Sequence, residues 1–111
     1  MGALHSDVVK VTKEDIKNGI EENAKMCAVA LAVERTFTKH YDNIVQNVGE
    51  NGDIEFLDTE TDEYVYHLKV SDNDRNWIYE FIQNFDGGYE VKPFEFGATM
   101  REGGAEWNSI N

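Results

Sequence analysis

Between positions 40 and 68 the chain carries carboxylates at Asp42, Glu50, Asp53, Glu55, Asp58, Glu60, Asp62 and Glu63, with no Lys or Arg among them. Side chains of that type at that density have three uses: proton transfer, coordination of a hard cation, or attraction of a basic surface. Proton transfer wants two carboxyls with distinct surroundings, and these are too numerous for the spacing to select a pair. For a cation, Asp72, Asp74 and Asn76 have the alternate spacing that opens an EF-hand loop. Trp77 stands, however, where that loop needs its glycine turn, and Gln83 where it needs a bidentate glutamate. Capping of the helix that follows explains Asp72 and Asp74 more simply.

The remaining chemistries find less support. Zinc needs about four Cys or His ligands at short spacings, whereas Cys27, His5, His40 and His67 fall one per segment. Cys27 lies in the apolar run from Met26 to Val33, where burial raises a thiol pKa instead of activating it, and a lone cysteine closes no intramolecular disulfide. There is no phosphate-cradling glycine loop and no GxSxG elbow, so nucleotide and acyl-enzyme chemistry are not signalled. The sequence indicates no cofactor, no metal site and no enzyme.

That leaves attraction. The chain has 22 Asp plus Glu against 10 Lys plus Arg, a formal net charge of -12 at pH 7. It lacks the basic runs that displace counterions from nucleic acid or bind anionic membranes, so the partner it favours is a basic protein surface. We take Glu50, Asp53, Glu55, Asp58, Glu60, Asp62 and Glu63 as the contact residues. On neighbouring strands about 4.8 Å apart they would form a two-dimensional negative lattice. Duplex DNA carries one charge per about 1.7 Å of axis, so such a face would imitate part of a phosphate track. The plainer alternative is a solvated outer face that keeps a sheet edge soluble.

The elements that must hold these acids follow from periodicity. Val9, Lys10 and Val11 suggest a short extended lead. Thr12 with Asp15 reads as a capping box for a first short helix ending at Asn18-Gly19. Asn23 caps a second, largely apolar helix to about Lys39, the central buried one. Tyr41 to Val48, the Asn51-Gly52 turn, and Ile54 with Phe56 predict a β-hairpin, extended by the alternating Tyr64, Tyr66, Leu68 and Val70 into a meander. Trp77, Ile78, Phe81, Ile82 and Phe85 trace the apolar face of a third helix stopped by Asp86-Gly87-Gly88, with Tyr79 outside that stripe. Tyr89, Val91, Phe94 and Phe96 predict a last strand, placed at the sheet edge because Pro93 would forfeit a ladder hydrogen bond. The expectation is an α+β domain over residues 1–97 with helices on one face of a small antiparallel sheet, in the order α-α-β-β-β-α-β. Residues 98–111 are expected to be a disordered or loosely docked tail, with Trp107 as its docking candidate.

Two stretches resemble a family of small phage and bacterial, often actinobacterial, proteins. Val11-Thr12-Lys13-Glu14-Asp15-Ile16, Gly19 and Cys27-Ala28-Val29-Ala30-Leu31-Ala32 are similar to its T-x-E-D-I, G and C-P-I-A-L-A arrangement, with Ala28 where that pattern has proline. Phe81 to Phe85 with Asp86, Gly88, Val91, Pro93, Phe94 and Phe96 resemble its F-x-x-x-F-D-x-G-x-x-V-x-P-F-x-F ending. The resemblance spans the two ends of the domain and not the acidic middle. It implies a helix, sheet, helix, strand order and brings no activity and no catalytic residues.

The functional expectation is therefore a non-enzymatic phage or prophage accessory protein. It would bind a basic protein through its acidic face, in the sharpest form as a nucleic-acid mimic that inhibits a basic nucleic-acid-handling enzyme. A second reading is a small ligand-binding domain or enzyme with a pocket between the central helix and the meander, lined by His67, Tyr66 and an acid. A third is a homo-oligomeric structural module using a strand edge or Trp107. The longest apolar run is far short of the roughly twenty residues of a membrane span, which points to a cytoplasmic location.

Overall fold

The N-terminal lead is extended over more residues than the alternation of Val9-Lys10-Val11 suggests. In the computed structural model, which describes residues 3–103, Ala3–Val11 is a full strand, β1. Its Val9 and Val11 are buried while Lys10 between them is exposed. The polar residues before Val9 concealed it, because an edge strand can leave one side in water. Thr12 then starts α1 (Lys13–Asn18) with both halves of the expected capping box: Asp15 N–H donates to Thr12 Oγ1 and Thr12 N–H to Asp15 Oδ2.

The central helix, α2, is shorter than its apolar pattern suggests: it runs Ala28–Thr36 with Cys27 as N-cap. Asn23 caps an isolated turn instead, its side chain accepting from the N–H groups of Lys25 and Met26. The close seat of α2 explains the glycine before it, because a Cβ on Gly19 would lie 2.6 Å from Ala28 N and 2.8 Å from Asp15 O. Arg35 on α2 reaches back to grip Asp15 with both Nη atoms and donates to Lys10 O on β1. One guanidinium thereby ties the first strand and two helices together. Ala28, Val29, Ala30, Ala32 and Val33 are buried, as a central helix requires.

After a 3₁₀ turn at Thr38–His40 come β2 (Ile44–Val48), β3 (Ile54–Asp58) and β4 (Glu63–Lys69). The β2–β3 connection is longer than a two-residue hairpin: Gly49 N–H bonds Asp53 O and Gly52 N–H bonds Gly49 O, with Gly52 at φ 92°. The third helix, α3 (Asp72–Asp86), is capped by the Ser71 hydroxyl and stops at Gly87, followed by Gly88 in the left-handed region at φ 81°. The last strand, β5, is Phe94–Glu102. It passes the expected domain boundary at residue 97, so Ala98 and Met100 are core and not tail. Trp107 lies outside the described residues.

The sheet is antiparallel, in the order β1-β5-β4-β3-β2. Thus β5 is interior, paired with both β1 and β4, and not the edge that Pro93 suggested. Pro93 stands one residue before the strand and interrupts no ladder bond. The predicted helix and strand order holds, preceded by β1, and the class is α+β. The helices cover one face, where Val9, Val11, Val48, Ile54, Phe56, Leu68, Phe96, Ala98 and Met100 share a core with α2 and with Ile78, Phe81, Ile82 and Phe85 of α3. The outer edge of β2 is not open: Val48 N–H donates to Ala24 O. Gln46 donates through Nε2 to Lys25 O and accepts through Oε1 from the Thr38 hydroxyl at 2.6 Å.

Candidate functional site

The seven contact candidates fall in two places, and Glu50, Asp53 and Glu55 share the first, a shallow concavity of about 410 Å³ that Asn47 and Asn51 also line. Glu50 and Asp53 belong to the β2–β3 turn, where α3 lies against the chain: a Cβ on Gly52 would meet Arg75 O at 3.0 Å. Asp53 is ion-paired with Arg75, and Asn51 donates to it as well. Glu55 is the second residue of β3, opposite Asn47 on one side and His67 on the other, and is only 8% exposed. These three are therefore not one open lattice with the rest.

The other four converge. Asp58, Glu60, Asp62 and Glu63 form the β3–β4 turn and its shoulders. Asp58 accepts from the N–H groups of Glu60 and Thr61, and Asp62 N–H returns to Asp58 O, with Asp62 itself in the left-handed region at φ 61°. Thr59 donates to Asn43 O through both N–H and hydroxyl, which brings the loop carrying Asp42 against this turn. Tyr41 and Tyr64 flank it and are exposed. Asp58 and Glu63 are direct register partners across the strands, a like-charge opposition that lowers sheet stability. Among the described residues no Lys or Arg forms an ion pair with any of these acids.

Among the described residues His67 and Tyr66 do not face a common cavity. Adjacent strand residues point to opposite faces: Tyr66 packs against the core beside Tyr41, with ring centroids 6.1 Å apart, while His67 bonds Gly103 O at 3.1 Å. A cleft of about 530 Å³ opens elsewhere, between the α2 N-terminus, the β2–β3 turn and the end of α3. Its lining includes Glu22, Cys27, Val48, Glu50, Gln83 and Asp86. Cys27 is 4% exposed there. Burial pushes its thiol pKa up and the Asp86 carboxylate adds to this, against the opposing N–H groups of Ala30 and Val29. A thiol so held is no nucleophile at neutral pH. Among the described residues no group of three His, Cys, Asp or Glu side chains is placed to hold a metal ion, Asp72 and Asp74 included.

Sequence reasoning placed Trp77 with the buried face of α3, and it is 59% exposed. At about 100° per residue, the buried stripe is Ile78, Phe81, Ile82 and Phe85, and Trp77 falls at its margin. Tyr79, expected outside, is exposed. No helix among the described residues is long and apolar enough to cross a membrane. No protein-family model, curated protein or solved structure matches the chain.

Proposed function

We propose that this domain is a non-enzymatic binding module of the phage or prophage accessory kind, which docks on a basic protein surface through the acidic end of its sheet. The observation that carries the reading is the β3–β4 turn. Asp58 and Glu63 face each other across the ladder, with Glu60 and Asp62 between them and no ion-pairing cation among the described residues. Like charges opposed in a sheet cost stability, so a cation-rich partner relieves a repulsion the free domain carries. Exposed Tyr41 and Tyr64 supply the amphipathic contacts that interfaces favour. In this reading any mimicry of a phosphate track is confined to a short run of charges at one end of the molecule, because Glu50, Asp53 and Glu55 lie together at the other end of β3.

The test is capture from host lysate with the wild-type domain and with a Glu60→Lys, Asp62→Lys, Glu63→Lys variant, at low and high salt. All three positions are exposed, so the variant keeps the wild-type circular dichroism, its melting point moving only by the balance of the relieved Asp58–Glu63 opposition and a lysine held at φ 61°. The reading expects basic proteins that are held by the wild type, released by salt and absent from the variant. Equal retention of the same proteins by the variant at low salt refutes it.

A further inference from the structure

We propose that the groove beside Trp77 binds a short segment of a partner protein in which an apolar side chain is flanked by Lys or Arg. The groove, of about 320 Å³, lies between α3 and the segment leading into β5. Its apolar wall is made by Trp77, Phe81, Val91, Pro93 and Phe94, with the Phe81 and Phe94 rings 4.8 Å apart. An indole left 59% exposed on a helix that buries four other apolar side chains is a costly placement for stability alone. Exposed apolar surface rimmed by polar groups marks interaction sites, and tryptophan is the side chain most enriched at their energetic centres.

Charge decides the occupant. Glu80 and Glu90 stand on the lining, and neither is ion-paired among the described residues. Lys92 is the cation that lines the groove with them, so the rim stays net negative. A Lys or Arg next to the anchoring side chain meets both a carboxylate and the face of Trp77, where a cation is attracted by the ring quadrupole. The site goes beyond the acidic end proposed above: α3 lies against the β2–β3 turn, at the end of β3 opposite the β3–β4 turn.

The experiment uses the full chain carrying Trp107→Phe, which leaves Trp77 as its one indole. Nonapeptides are selected from a random displayed library, synthesised and titrated by Trp77 fluorescence. The expected result is enrichment of an apolar residue flanked by Lys or Arg, with a saturable change in emission. By direct binding measurement, Trp77→Ala weakens the selected peptides about thirtyfold, as for an interfacial hot spot. The Glu80→Gln, Glu90→Gln pair weakens them about tenfold and flattens their salt dependence. The Glu60→Lys, Asp62→Lys, Glu63→Lys variant binds them unchanged, which separates this groove from the acidic end. Four outcomes overturn the proposal: no enrichment, enrichment without a cationic bias, indifference to Trp77→Ala, or indifference to the paired Glu variant. Two further outcomes assign a different occupant and also overturn it. One is concentration-dependent dimerisation abolished by Trp77→Ala; the other is a changed Trp77 emission in the unliganded chain after truncation beyond Gly103.

Discussion

Replacing Asp15 by alanine should cost this domain about 2–3 kcal/mol, and the loss should narrow in acid. Asp15 accepts from Thr12 N–H at 2.9 Å and from Arg35 Nη1 and Nη2 at 2.9 and 2.8 Å. Loss of a capping interaction is worth about 1 kcal/mol. A fully buried charge-assisted pair would add more, but the Arg35 side chain is 46% exposed and also bonds Lys10 O. It rehydrates when its partner goes, and about 1–2 kcal/mol is the discounted figure. The melting temperature should fall by roughly 10–15 °C for a domain of this size. Burial alone would raise the Asp15 pKa, but the hydrogen bonds from Arg35 and Thr12 and the Arg35 charge outweigh it and hold the carboxyl below its ordinary value. A depressed folded pKa stabilises above the unfolded value and is lost as pH falls through the folded one. The gap between wild type and Asp15→Ala should thus be constant from pH 7 to pH 5 and begin to narrow only below about pH 4. Arg35, whose pKa is raised by the same partner, stays charged throughout. Urea unfolding followed by circular dichroism at pH 7, 5 and 3 measures this. A gap under about 0.5 kcal/mol at pH 7, the scatter of an ordinary surface substitution, or one that persists undiminished in acid, would refute the reasoning.

Two further outcomes follow from packing. Gly19→Ala should destabilise by about 2–3 kcal/mol in the same assay, because the added methyl meets backbone on both sides. Gly97→Ala, with nothing within 4 Å of its Cβ, should stay within about 0.5 kcal/mol. Cys27 should be alkylated by iodoacetamide at pH 7 roughly a hundredfold more slowly in the folded protein than in urea, since burial protects the thiol and raises its pKa; comparable rates would mean that the α2 N-terminus opens freely.

The sequence signals that proved reliable were those whose geometry is complete within a few residues. Thr12 and Asp15 form their box because both partners lie in one turn, and Gly88 takes the left-handed conformation at the end of α3 where a helix must stop. What stayed hidden depends on distant partners. That Arg35 serves Asp15 needs the α1–α2 seat fixed by Gly19. That β5 is interior needs β1, whose polar first half reads as a lead until it is seen paired along Ala3–Val11. Asn23 made a good cap in the wrong place, because the chain makes a separate turn there to supply Ala24 O and Lys25 O to the edge of β2. The acidic segment was legible as charge and not as a surface.

That difference bears on how an acidic protein is able to bind at all. The fold absorbs Asp15 through Arg35, Asp53 through Arg75 and Glu55 through burial. An acid in such a setting offers a partner little, since its charge is already answered or must be uncovered first. The acids of the β3–β4 turn are different: Glu60, Asp62 and Glu63 are exposed, and Asp58 is fixed by two backbone N–H groups of its own turn. Exposed carboxylates on a turn stay hydrated until contact, so they attract over about a Debye length at little desolvation cost. Recognition built on them is governed by association rate and salt more than by tight residence. Trp77 and its groove have the opposite balance, because an apolar anchor slows departure and does little to speed approach. A basic partner engaging both ends of the molecule would gain steering from one and residence from the other.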